Sequence, residues 1–420
     1  MILNQRIPPN RPVQAVILAG GRGTRMKPLT AGRPKPMVML HGKPFLEYQI
    51  EQIRDQGFNK ILLLLGYLPA VIQDYFGDGR RWGVDIKYSI SAPDNETARR
   101  LKLADSCLEP YFLLLYCDNY WPMQMERMWP RFVAAGAPVM ITIYTNKDNY
   151  TRNTIKVDSD GYVAAYDKSG VTPGLAGVEI SYAFFDRSVL SLLPEANVSV
   201  EAALYSRLAG ERKLLAYLTD HRYYSVGALQ RLPVTEEFLA RRPAVLLDRD
   251  GVLNQKPRKA EYVRNWSEFK WLPGAKEALR LFNEAGYRVI VISNQAGVGR
   301  GLMTEANLQR IHANMMAEAE SAGGFIERVY YCPHAWDEGC ECRKPKPGLF
   351  FQAQHDFNLD LTRTPFIGDD ERDVEAACAA GTPPLRVSER NPLIELTKRL
   401  MNGGVPQFHS LKETQWQNGY

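Results

Sequence analysis

Short apolar runs that end in Gly, Asp or Ser alternate with amphipathic stretches along the chain, and this series occurs twice. The alternation is typical of parallel β-sheets covered by α-helices, because parallel strands need a crossover that is usually a helix. The first series opens at residues 13–18 and the second at residues 244–247. The pattern therefore predicts an α/β protein in which each series forms a sheet of its own.

Two domains are also expected from the length, since 420 residues exceed the size at which one hydrophobic core usually stops growing. Arg241, Arg242 and Pro243 directly precede the second opening strand and indicate a boundary near residue 240. We expect two Rossmann-like domains, each a mainly parallel sheet covered by helices, at residues 1–240 and 241–400. Residues 401–420 are expected to form a peripheral tail.

The charge distribution narrows the class of substrate. The formal net charge is only +5, and the Lys and Arg residues are scattered rather than massed in one tract. This favours small anionic substrates over nucleic acid. No apolar run approaches the roughly 18 residues that a membrane helix needs, and the first residues lack the apolar core of a signal peptide. The sequence predicts a cytoplasmic enzyme without a nucleic-acid or membrane partner.

Two carboxylates stand at the end of the strand that opens the second series. Asp248 and Asp250 are two positions apart, and Gly251 lets the chain turn away after them. An aspartate nucleophile accepts a phosphoryl group as an acyl phosphate, while a second carboxylate protonates the leaving oxygen and later activates water. Magnesium is required because carboxylate and phosphate repel each other. The pair alone also fits a surface turn, so the interpretation depends on the other strand ends.

Three later elements supply the remaining groups that phosphoryl transfer needs. A second apolar strand ends on Ser293, Asn294 and Gln295, whose hydroxyl and amides suit phosphate oxygens. Arg343-Lys344 adds two cations, and Asp369-Asp370 ends another strand on carboxylates suited to a metal. Four elements in this order predict a magnesium-dependent phosphohydrolase.

A cluster of metal-binding residue types directly precedes the two cations. Cys332, His334, Cys340 and Cys342 lie within eleven positions, which in a cytosolic chain indicates a metal site rather than disulfides. Three thiolates and an imidazole form the tetrahedral set of a structural zinc site. Our hypothesis is that zinc stiffens the loop that presents Arg343-Lys344; the alternative is free buried cysteines beside a solvent histidine.

These motifs resemble the haloacid dehalogenase superfamily, and within it the D-glycero-D-manno-heptose 1,7-bisphosphate 7-phosphatases, over about residues 244–390. The resemblance implies the following roles: Asp248 as nucleophile, Asp250 as acid/base, Ser293 and Lys344 as phosphoryl-holding groups, Asn294, Gln295 and Arg343 as substrate contacts, and Asp248, Asp250 and Asp369 at the magnesium ion. In that family the same order of Cys and His ligands binds zinc. The segment between His334 and Cys340 is short here, which leaves the preferred anomer open.

The first series carries a glycine-rich turn directly after its opening strand. Gly20, Gly21 and Gly23 allow backbone N–H groups to close on phosphates. Arg25 and Lys35 would neutralise a triphosphate as pyrophosphate leaves. Glycine turns often serve only folding, so this motif alone is weak evidence.

Three further strings, Pro28-Leu-Thr30, Pro34-Lys-Pro-Met37 and Gly42-Lys-Pro44, extend the turn into a longer pattern. It resembles the sugar-1-phosphate nucleotidyltransferases over about residues 13–228. The resemblance implies that a sugar phosphate oxygen attacks the α-phosphorus of a nucleoside triphosphate, with Asp118 as a magnesium ligand and Lys168 at the sugar phosphate.

The N-terminal series departs from that family at three places. Ser225 stands where the family usually has a second metal-binding aspartate, and Glu179 replaces a sugar-facing asparagine. The base-contact segment aligns with residues 95–100, which include the bulky charged residues Glu96 and Arg99. Two alternatives remain open: nucleotidyl transfer with the metal held by Asp118 and the triphosphate, or binding of a nucleotide or sugar phosphate without turnover.

The two resemblances together predict consecutive reactions on one chain. Removal of the 7-phosphate from heptose 1,7-bisphosphate yields a heptose 1-phosphate, which is the kind of acceptor that the N-terminal half would use. The expected product is nucleotide-activated heptose, in the first place GDP-heptose, for surface polysaccharide such as lipopolysaccharide. The alternatives are a histidinol-phosphate phosphatase, or a phosphatase regulated by a non-catalytic N-terminal module. The sequence leaves the nucleotide base and the exact sugar undetermined.

Overall fold

In the computed structural model, which describes residues 11–258 and 260–403, the chain divides between Leu239 and Ala240 into two units. The predicted tail lies outside the described residues from position 404 onward. Residues 401–403 belong to the last helix of the second unit.

The N-terminal unit alternates strands and helices as its apolar pattern predicts. Its strands are β1 (Gln14–Ala19), β2 (Met39–Leu40), β3 (Lys43–Pro44), β4 (Lys60–Leu65), β5 (Asp85–Ile90), β6 (Tyr111–Tyr116), β7 (Asn119–Tyr120), β8 (Val139–Tyr144), β9 (Ile155–Val157), β10 (Val163–Tyr166), β11 (Val178–Asp186), β12 (Leu214–Thr219) and β13 (Tyr224–Ser225). Its helices are α1 (Phe45–Asp55), α2 (Pro69–Phe76), α3 (Thr97–Leu103), α4 (Met125–Ala135), α5 (Ser206–Gly210) and α6 (Leu232–Leu239).

The main sheet of this unit has the order β12-β8-β11-β6-β1-β4-β5 among the described residues. β1 pairs in parallel with both β4 and β6, and β11 is antiparallel to its two neighbours. Every residue of β1 is buried, and all but Gln14 are apolar, as is expected of a central strand that is covered on both faces. The mainly parallel sheet covered by helices is confirmed.

The C-terminal unit repeats the architecture with a shorter sheet. Its strands are β14 (Ala244–Leu247), β15 (Arg288–Asn294), β16 (Arg328–Cys332), β17 (Phe366–Gly368) and β18 (Pro384–Arg386). Its helices are α7 (Ala275–Glu284), α8 (Glu305–Ser321), α9 (Gly348–Phe357), α10 (Glu371–Ala380) and α11 (Leu393–Gly403).

The C-terminal sheet is parallel throughout, in the order β16-β15-β14-β17-β18. The chain builds outward from β14 to one side and then returns to build on the other side. Ligands of open α/β sheets bind outside the carboxyl ends of the strands at such a switch point. The helices cover the sheet through apolar faces; α7, for example, buries Ala275, Ala278, Leu279 and Phe282 at helical spacing.

Within the described ranges, none of the helices is both long enough and apolar enough to span a membrane.

Candidate active sites

The predicted phosphatase residues follow three neighbouring strands of the C-terminal sheet. Asp248 comes directly after β14, Ser293 and Asn294 are the last residues of β15, and Asp369 comes directly after β17. Because β14 lies between β15 and β17, Asp248 stands at the centre of this edge. The fold thus brings together groups that are more than a hundred residues apart in the chain.

Lys344 is the cation that the structure places against the predicted nucleophile. Its side chain is 2% exposed, and its Nζ lies 3.0 Å from Asp248 Oδ1 and 2.6 Å from Asp373 Oδ1. Burial raises the pKa of Asp248, as do the charges of Asp373 and Asp250, while Lys344 opposes the shift. Burial works against the charge of Lys344, but the two aspartates raise its pKa and keep it an ammonium.

Asp373 is a site residue that the sequence interpretation missed. One carboxylate oxygen pairs with Lys344, and the other accepts the backbone N–H groups of Asp369 and Asp370 at 3.0 and 3.1 Å. A Cβ on Gly368 would stand 2.4 Å from the Cβ of Asp373, so this close approach requires glycine. The available signal was an acid in the first turn of the helix that Asp370 caps.

Asp250 is bound on both oxygens by protein donors. Asn254 donates to Oδ1 at 2.9 Å, Gln295 donates to Oδ2 at 2.8 Å, and the guanidinium of Arg249 reaches both. Burial works against ionisation, but the charge of Arg249 and these hydrogen bonds lower the pKa of Asp250. The charge of Arg249 and the hydrogen bonds therefore favour the ionised form of Asp250, which is the form that can accept a proton from water.

The two amides predicted to bind phosphate have partners inside the protein. Asn294 donates to the Lys344 carbonyl and accepts the Lys344 N–H, both at 3.1 Å. Gln295 donates to Ser293 Oγ at 2.9 Å as well as to Asp250. These contacts give both amides a positioning role and lend no support to direct phosphate binding. Arg343 differs, because its Nη1 is buried and finds no hydrogen-bond partner within the described part of the chain.

The acidic groups at this edge fit a divalent cation. Carboxylate oxygens of Asp248, Asp369 and Asp373 lie within 4.8 Å of one another. Asp369 Oδ1 is buried and, among the described residues, has no hydrogen-bond partner. A Cβ on Gly251 would stand 2.3 Å from Asp369 Oδ2, so glycine is needed for this approach. Oxygen donors suit magnesium, and Asp248 and Asp369 would hold it; the side chain of Asp250, also predicted as a ligand, lies outside this group.

The predicted zinc ligands converge in the structure. Their ligand atoms all lie within 4.8 Å of one another. Cys332 Sγ is 3.6 Å from both His334 Nδ1 and Cys340 Sγ, and His334 Nδ1 is 3.2 Å from Cys342 Sγ. Zn–S bonds of about 2.3 Å in a tetrahedron separate two sulfurs by about 3.8 Å, so the donor set fits zinc. Cys332 ends β16, which ties the cluster to the sheet.

The glycine-rich turn of the N-terminal unit follows β1. Gly23 has φ 62°, and a Cβ there would stand 2.9 Å from Lys35 Cβ, so glycine is required. Thr30 Oγ1 donates to the Gly23 carbonyl at 2.9 Å and closes the loop. Gly21 and Arg25 are exposed on this loop, where they can meet a ligand from solvent.

Asp118 and Lys35 form an ion pair beside this turn. Asp118 follows β6, which pairs with β1, and its Oδ2 lies 2.5 Å from Lys35 Nζ. Burial opposes the charge of Lys35, but Asp118 raises its pKa. Ser225 stands next to Asp118, and its Oγ donates to the Asp118 carbonyl at 3.0 Å and accepts the Gly227 N–H at 3.0 Å. Ser225 thus places a hydroxyl, rather than a carboxylate, next to Asp118.

The bulky segment at residues 95–100 directs only one charged side chain inward. Arg99 pairs with Glu195 at 3.0 Å on the surface. Arg100 is buried and donates to the Leu65 carbonyl at 2.7 Å and to the Gly20 carbonyl at 3.3 Å. The guanidinium of Arg100 fills the space that a Cβ on Gly20 would occupy, because such a Cβ would lie 2.3 Å from Arg100 Cζ. Arg100 therefore packs directly against the glycine turn.

Lys168, the lysine predicted to meet the sugar phosphate, lies near the acidic residues Glu201 and Glu179. Lys168 Nζ is 3.2 Å from Glu201 Oε1, and Glu201 Oε2 is buried without a hydrogen-bond partner among the described residues. Glu179 lies at a register shift of β11, which re-aims its side chain. Burial, followed by the charge of Glu201, raises the pKa of Glu179 to about 8.

Comparison with known proteins identifies both halves. Residues 14–166 match the family model described as nucleotidyl transferase, and residues 341–389 match the model described as HAD-hydrolase-like. These matches confirm the nucleotidyltransferase-type and haloacid dehalogenase-type resemblances.

Curated relatives match the C-terminal unit. A D-glycero-beta-D-manno-heptose-1,7-bisphosphate 7-phosphatase from Bordetella bronchiseptica is 37% identical over 163 residues, which are 39% of this chain and 88% of the relative. A protein of the same name from Rhodopseudomonas palustris is 42% identical over 153 residues, 35% of this chain and 83% of the relative. The solved D,D-heptose 1,7-bisphosphate phosphatase from B. bronchiseptica, complexed with magnesium and phosphate, is 33% identical with a TM-score of 0.34, covering 42% of this chain and 99% of that one.

Proposed function

Because the chain belongs, through its C-terminal unit, to the family of D-glycero-D-manno-heptose-1,7-bisphosphate 7-phosphatases, we propose that it removes the 7-phosphate of a heptose 1,7-bisphosphate. In the proposed reaction an oxygen of Asp248 bonds to phosphorus while the bond from phosphorus to the sugar oxygen breaks. Asp250, entering this step protonated, gives its proton to the leaving oxygen. As a carboxylate it then takes a proton from the water that hydrolyses the aspartyl-phosphate, which returns it to its protonated form.

The observation that carries this proposal is the arrangement of charge around Asp248. The buried ammonium of Lys344 lies 3.0 Å from the nucleophile, close enough to offset the negative charge of a phosphoryl group bound there. The Nη1 of Arg343, which has no hydrogen-bond partner among the described residues, supplies a second donor for the substrate. A magnesium ion held by Asp248 and Asp369 would supply the charge neutralisation that lets a carboxylate attack a phosphate.

We also propose that the N-terminal unit transfers a nucleotidyl group to the heptose 1-phosphate product. A phosphate oxygen of the sugar attacks the α-phosphorus of a nucleoside triphosphate, and the bond to pyrophosphate breaks. Arg25 and Lys35 neutralise the leaving pyrophosphate, Asp118 binds magnesium, and Lys168 meets the sugar phosphate. The ion pair of Lys35 and Asp118 beside the glycine turn supports this arrangement. The expected nucleotide is GTP.

The two reactions are proposed to be consecutive, because the product of the first is the acceptor of the second. Both substrates are charged metabolites, which fits a cytoplasmic enzyme that supplies activated heptose for surface polysaccharide. Zinc at the Cys332 to Cys342 cluster is proposed as a structural ion.

A product analysis tests the proposal directly. The protein is incubated with heptose 1,7-bisphosphate, magnesium and each nucleoside triphosphate in turn, and the products are identified by mass. We expect inorganic phosphate with every nucleotide, and pyrophosphate with a nucleotide-linked heptose only with GTP. A preference for histidinol phosphate over the heptose substrate in a phosphate-release assay would end the heptose interpretation.

The departure at Ser225 favours one alternative strongly enough to be tested beside the first. With one carboxylate fewer, the N-terminal unit could bind nucleotide and regulate the phosphatase without turnover. In that case added nucleotide would change the rate of phosphate release, and no pyrophosphate would appear with any nucleoside triphosphate.

A further inference from the structure

Arg249, which contacts Asp250, forms a buried pair with His312, and this pair has no role in the reaction proposed above. The side chain of Arg249 is 0% exposed, and its Nη1 lies 3.2 Å from Nε2 of His312 on α8. Burial and the charge of Arg249 lower the pKa of His312 to about 3, so the imidazole is neutral near pH 7. Since a guanidinium can only donate, Nε2 is the acceptor and the ring proton is on Nδ1.

The remaining donors of Arg249 bind the groups around the proposed acid/base. Nη2 lies 3.0 and 2.9 Å from the two oxygens of Asp250 and 3.0 Å from Gln295 Oε1. This last contact fixes the amide of Gln295 so that its NH₂ group faces Asp250 and Ser293. One guanidinium therefore sets the orientation of a carboxylate and of an amide at once.

His312 completes this arrangement from the opposite side. The three residues that accept hydrogen bonds from Arg249 are Asp250 after β14, Gln295 after β15 and His312 on α8. The guanidinium is therefore held by three different parts of the fold. A planar fork of five donors can meet such acceptors together, whereas the point charge of a lysine cannot. Without the acceptor on His312, Nη1 would lose that partner, and the rigid guanidinium would be held only by Asp250 and Gln295.

We propose that Arg249 and His312 are positioning residues for Asp250. His312 anchors the outer arm of the guanidinium, and the guanidinium holds the Asp250 carboxylate where it activates water against the aspartyl-phosphate. This inference rests on the proposed phosphatase reaction. It assigns the pair to the second chemical step, in which water loses a proton to Asp250, bonds to phosphorus, and releases the Asp248 oxygen.

The test uses the full chain with magnesium and p-nitrophenyl phosphate, whose leaving group departs without a proton donor. The His312→Leu variant removes the acceptor at similar volume, and the His312→Gln variant keeps an acceptor. For His312→Leu we expect kcat to fall about tenfold with kcat/KM within about twofold of wild type, because only hydrolysis of the intermediate is slowed. A burst of p-nitrophenol should then precede the steady state. His312→Gln should restore kcat to within about threefold and abolish the burst.

Two controls separate positioning from packing. Ile311→Val, at the preceding buried position of α8, should leave both parameters of the folded enzyme unchanged. Arg249→Lys keeps the charge but loses the fork, and should show the same burst with a larger loss of kcat. Equal losses in kcat and kcat/KM for His312→Leu without a burst, or an unchanged kcat, would overturn the inference.

The same variants are assayed on heptose 1,7-bisphosphate to keep the two proposals apart. If wild type releases no phosphate from that sugar while the burst pattern holds with the aryl ester, the proposed substrate is wrong and the positioning role stands. If the sugar is hydrolysed and the burst pattern is missing, the proposed function stands and the positioning role is wrong.

Discussion

At the residue scale, the C-terminal site depends on buried charges that compensate one another. Lys344 is almost fully buried between Asp248 and Asp373, so neither acid can be removed without leaving an ammonium short of a partner. The net free energy of such a pair is modest when both partners are present, but breaking it costs several kcal/mol. Asp373 therefore belongs to the site although it is not expected to react.

Replacement of Asp373 by asparagine tests this dependence. Asp373→Asn should lower the free energy of unfolding by about 3 kcal/mol, because Lys344 loses one of its two charged partners. It should also lower kcat about 100-fold, because the ammonium is no longer held against Asp248. Urea unfolding and phosphate release measure the two effects. Glu371→Gln, in the first turn of the same helix but exposed, is the matched control. Equal effects of the two changes would contradict the assignment.

A second prediction at this scale concerns pH and Glu179. Its pKa is about 8 in the folded protein against an ordinary 4.5, so the folded state keeps a proton that the unfolded chain loses. The free energy of unfolding of the N-terminal unit should therefore fall as pH rises between these values. Glu179→Gln should remove this slope and stabilise the unit at pH 9 relative to wild type.

Hydrogen exchange of β11 peptides in the full chain, at pH 6 and pH 9 in increasing urea, measures the effect. Glu195→Gln serves as the control, because that carboxylate is exposed and pairs with Arg99 and Lys102. A wild-type slope that persists in Glu179→Gln would place the titrating group elsewhere.

At the residue scale, a site residue could be predicted from the sequence only where a short motif marks it. That Asp248, Lys344 and Asp369 come together could be predicted, because Asp248 and Asp369 stand in short motifs at strand ends and Lys344 stands in a short loop motif. The role of Arg249 could not, since its partner His312 is contributed by a helix about sixty residues later, and a lone histidine on an apolar helix face has no distinguishing pattern. The internal partners of Asn294 and Gln295 could not be predicted either. The sequence around an amide at a strand end does not indicate whether the amide faces a ligand or the backbone.

At the element scale, the loop from Cys332 to Cys342 connects β16 with the cations of the site. It contributes few buried apolar side chains of its own, so a metal is the natural source of its rigidity. Lys344 is two residues beyond the last ligand, and Asn294 holds its backbone from the neighbouring strand. A loosened loop would therefore displace the ammonium directly.

Removal of zinc should expose this dependence. A chelator, or Cys340→Ser, should lower the thermal midpoint of the C-terminal unit by about 5–10 °C, because metal binding stabilises the folded loop by a few kcal/mol. Phosphatase activity should fall with it. Calorimetry and elemental analysis of the same samples provide the measurements. Cys107→Ser, an exposed thiol outside the cluster, is the control. An undiminished midpoint with zinc demonstrably absent would count against a structural role.

The strands and helices themselves were the most predictable elements, because their apolar periodicities are long and regular. The register shift in β11 that re-aims Glu179 was not predictable, since a bulge depends on pairing with two neighbouring strands. The capping of α10 by Asp370 could have been found from Asp370 and Asp373, which form a capping box.

At the scale of the whole molecule, the described residues form one main sheet in each unit, and each unit has its own set of charged groups. The two-sheet architecture could be predicted because each series repeats the same alternation, and each sheet is complete within its own unit. What the alternation could not supply is the strand order, because the positions of β11 and β12 depend on packing rather than on local pattern. We therefore expect a substitution in the site of one unit to change the activity of that unit and not the activity of the other.

Reciprocal variants test that independence. Asp248→Asn should abolish phosphate release and leave pyrophosphate formation from added heptose 1-phosphate within about twofold of wild type. Arg25→Ala should do the converse, because it removes a cation from the exposed glycine loop of the N-terminal unit. Both activities are measured on each variant. Loss of both by either change would show that the sites are coupled, and an unchanged nucleotidyl transfer rate in Arg25→Ala would remove Arg25 from the reaction.

The point at which the chain enters the C-terminal sheet determines where another protein can be fused to the phosphatase unit. The chain enters this unit at the amino end of β14, whereas the proposed catalytic residues follow the carboxyl ends of β14, β15 and β17. A polypeptide joined upstream of Ala244 is therefore attached at the amino end of the strand whose carboxyl end carries the proposed nucleophile. Exchange of the upstream half, by evolution or by an engineer, for another enzyme that consumes the same product would leave all five strands of this sheet, β14 to β18, on the retained part of the chain.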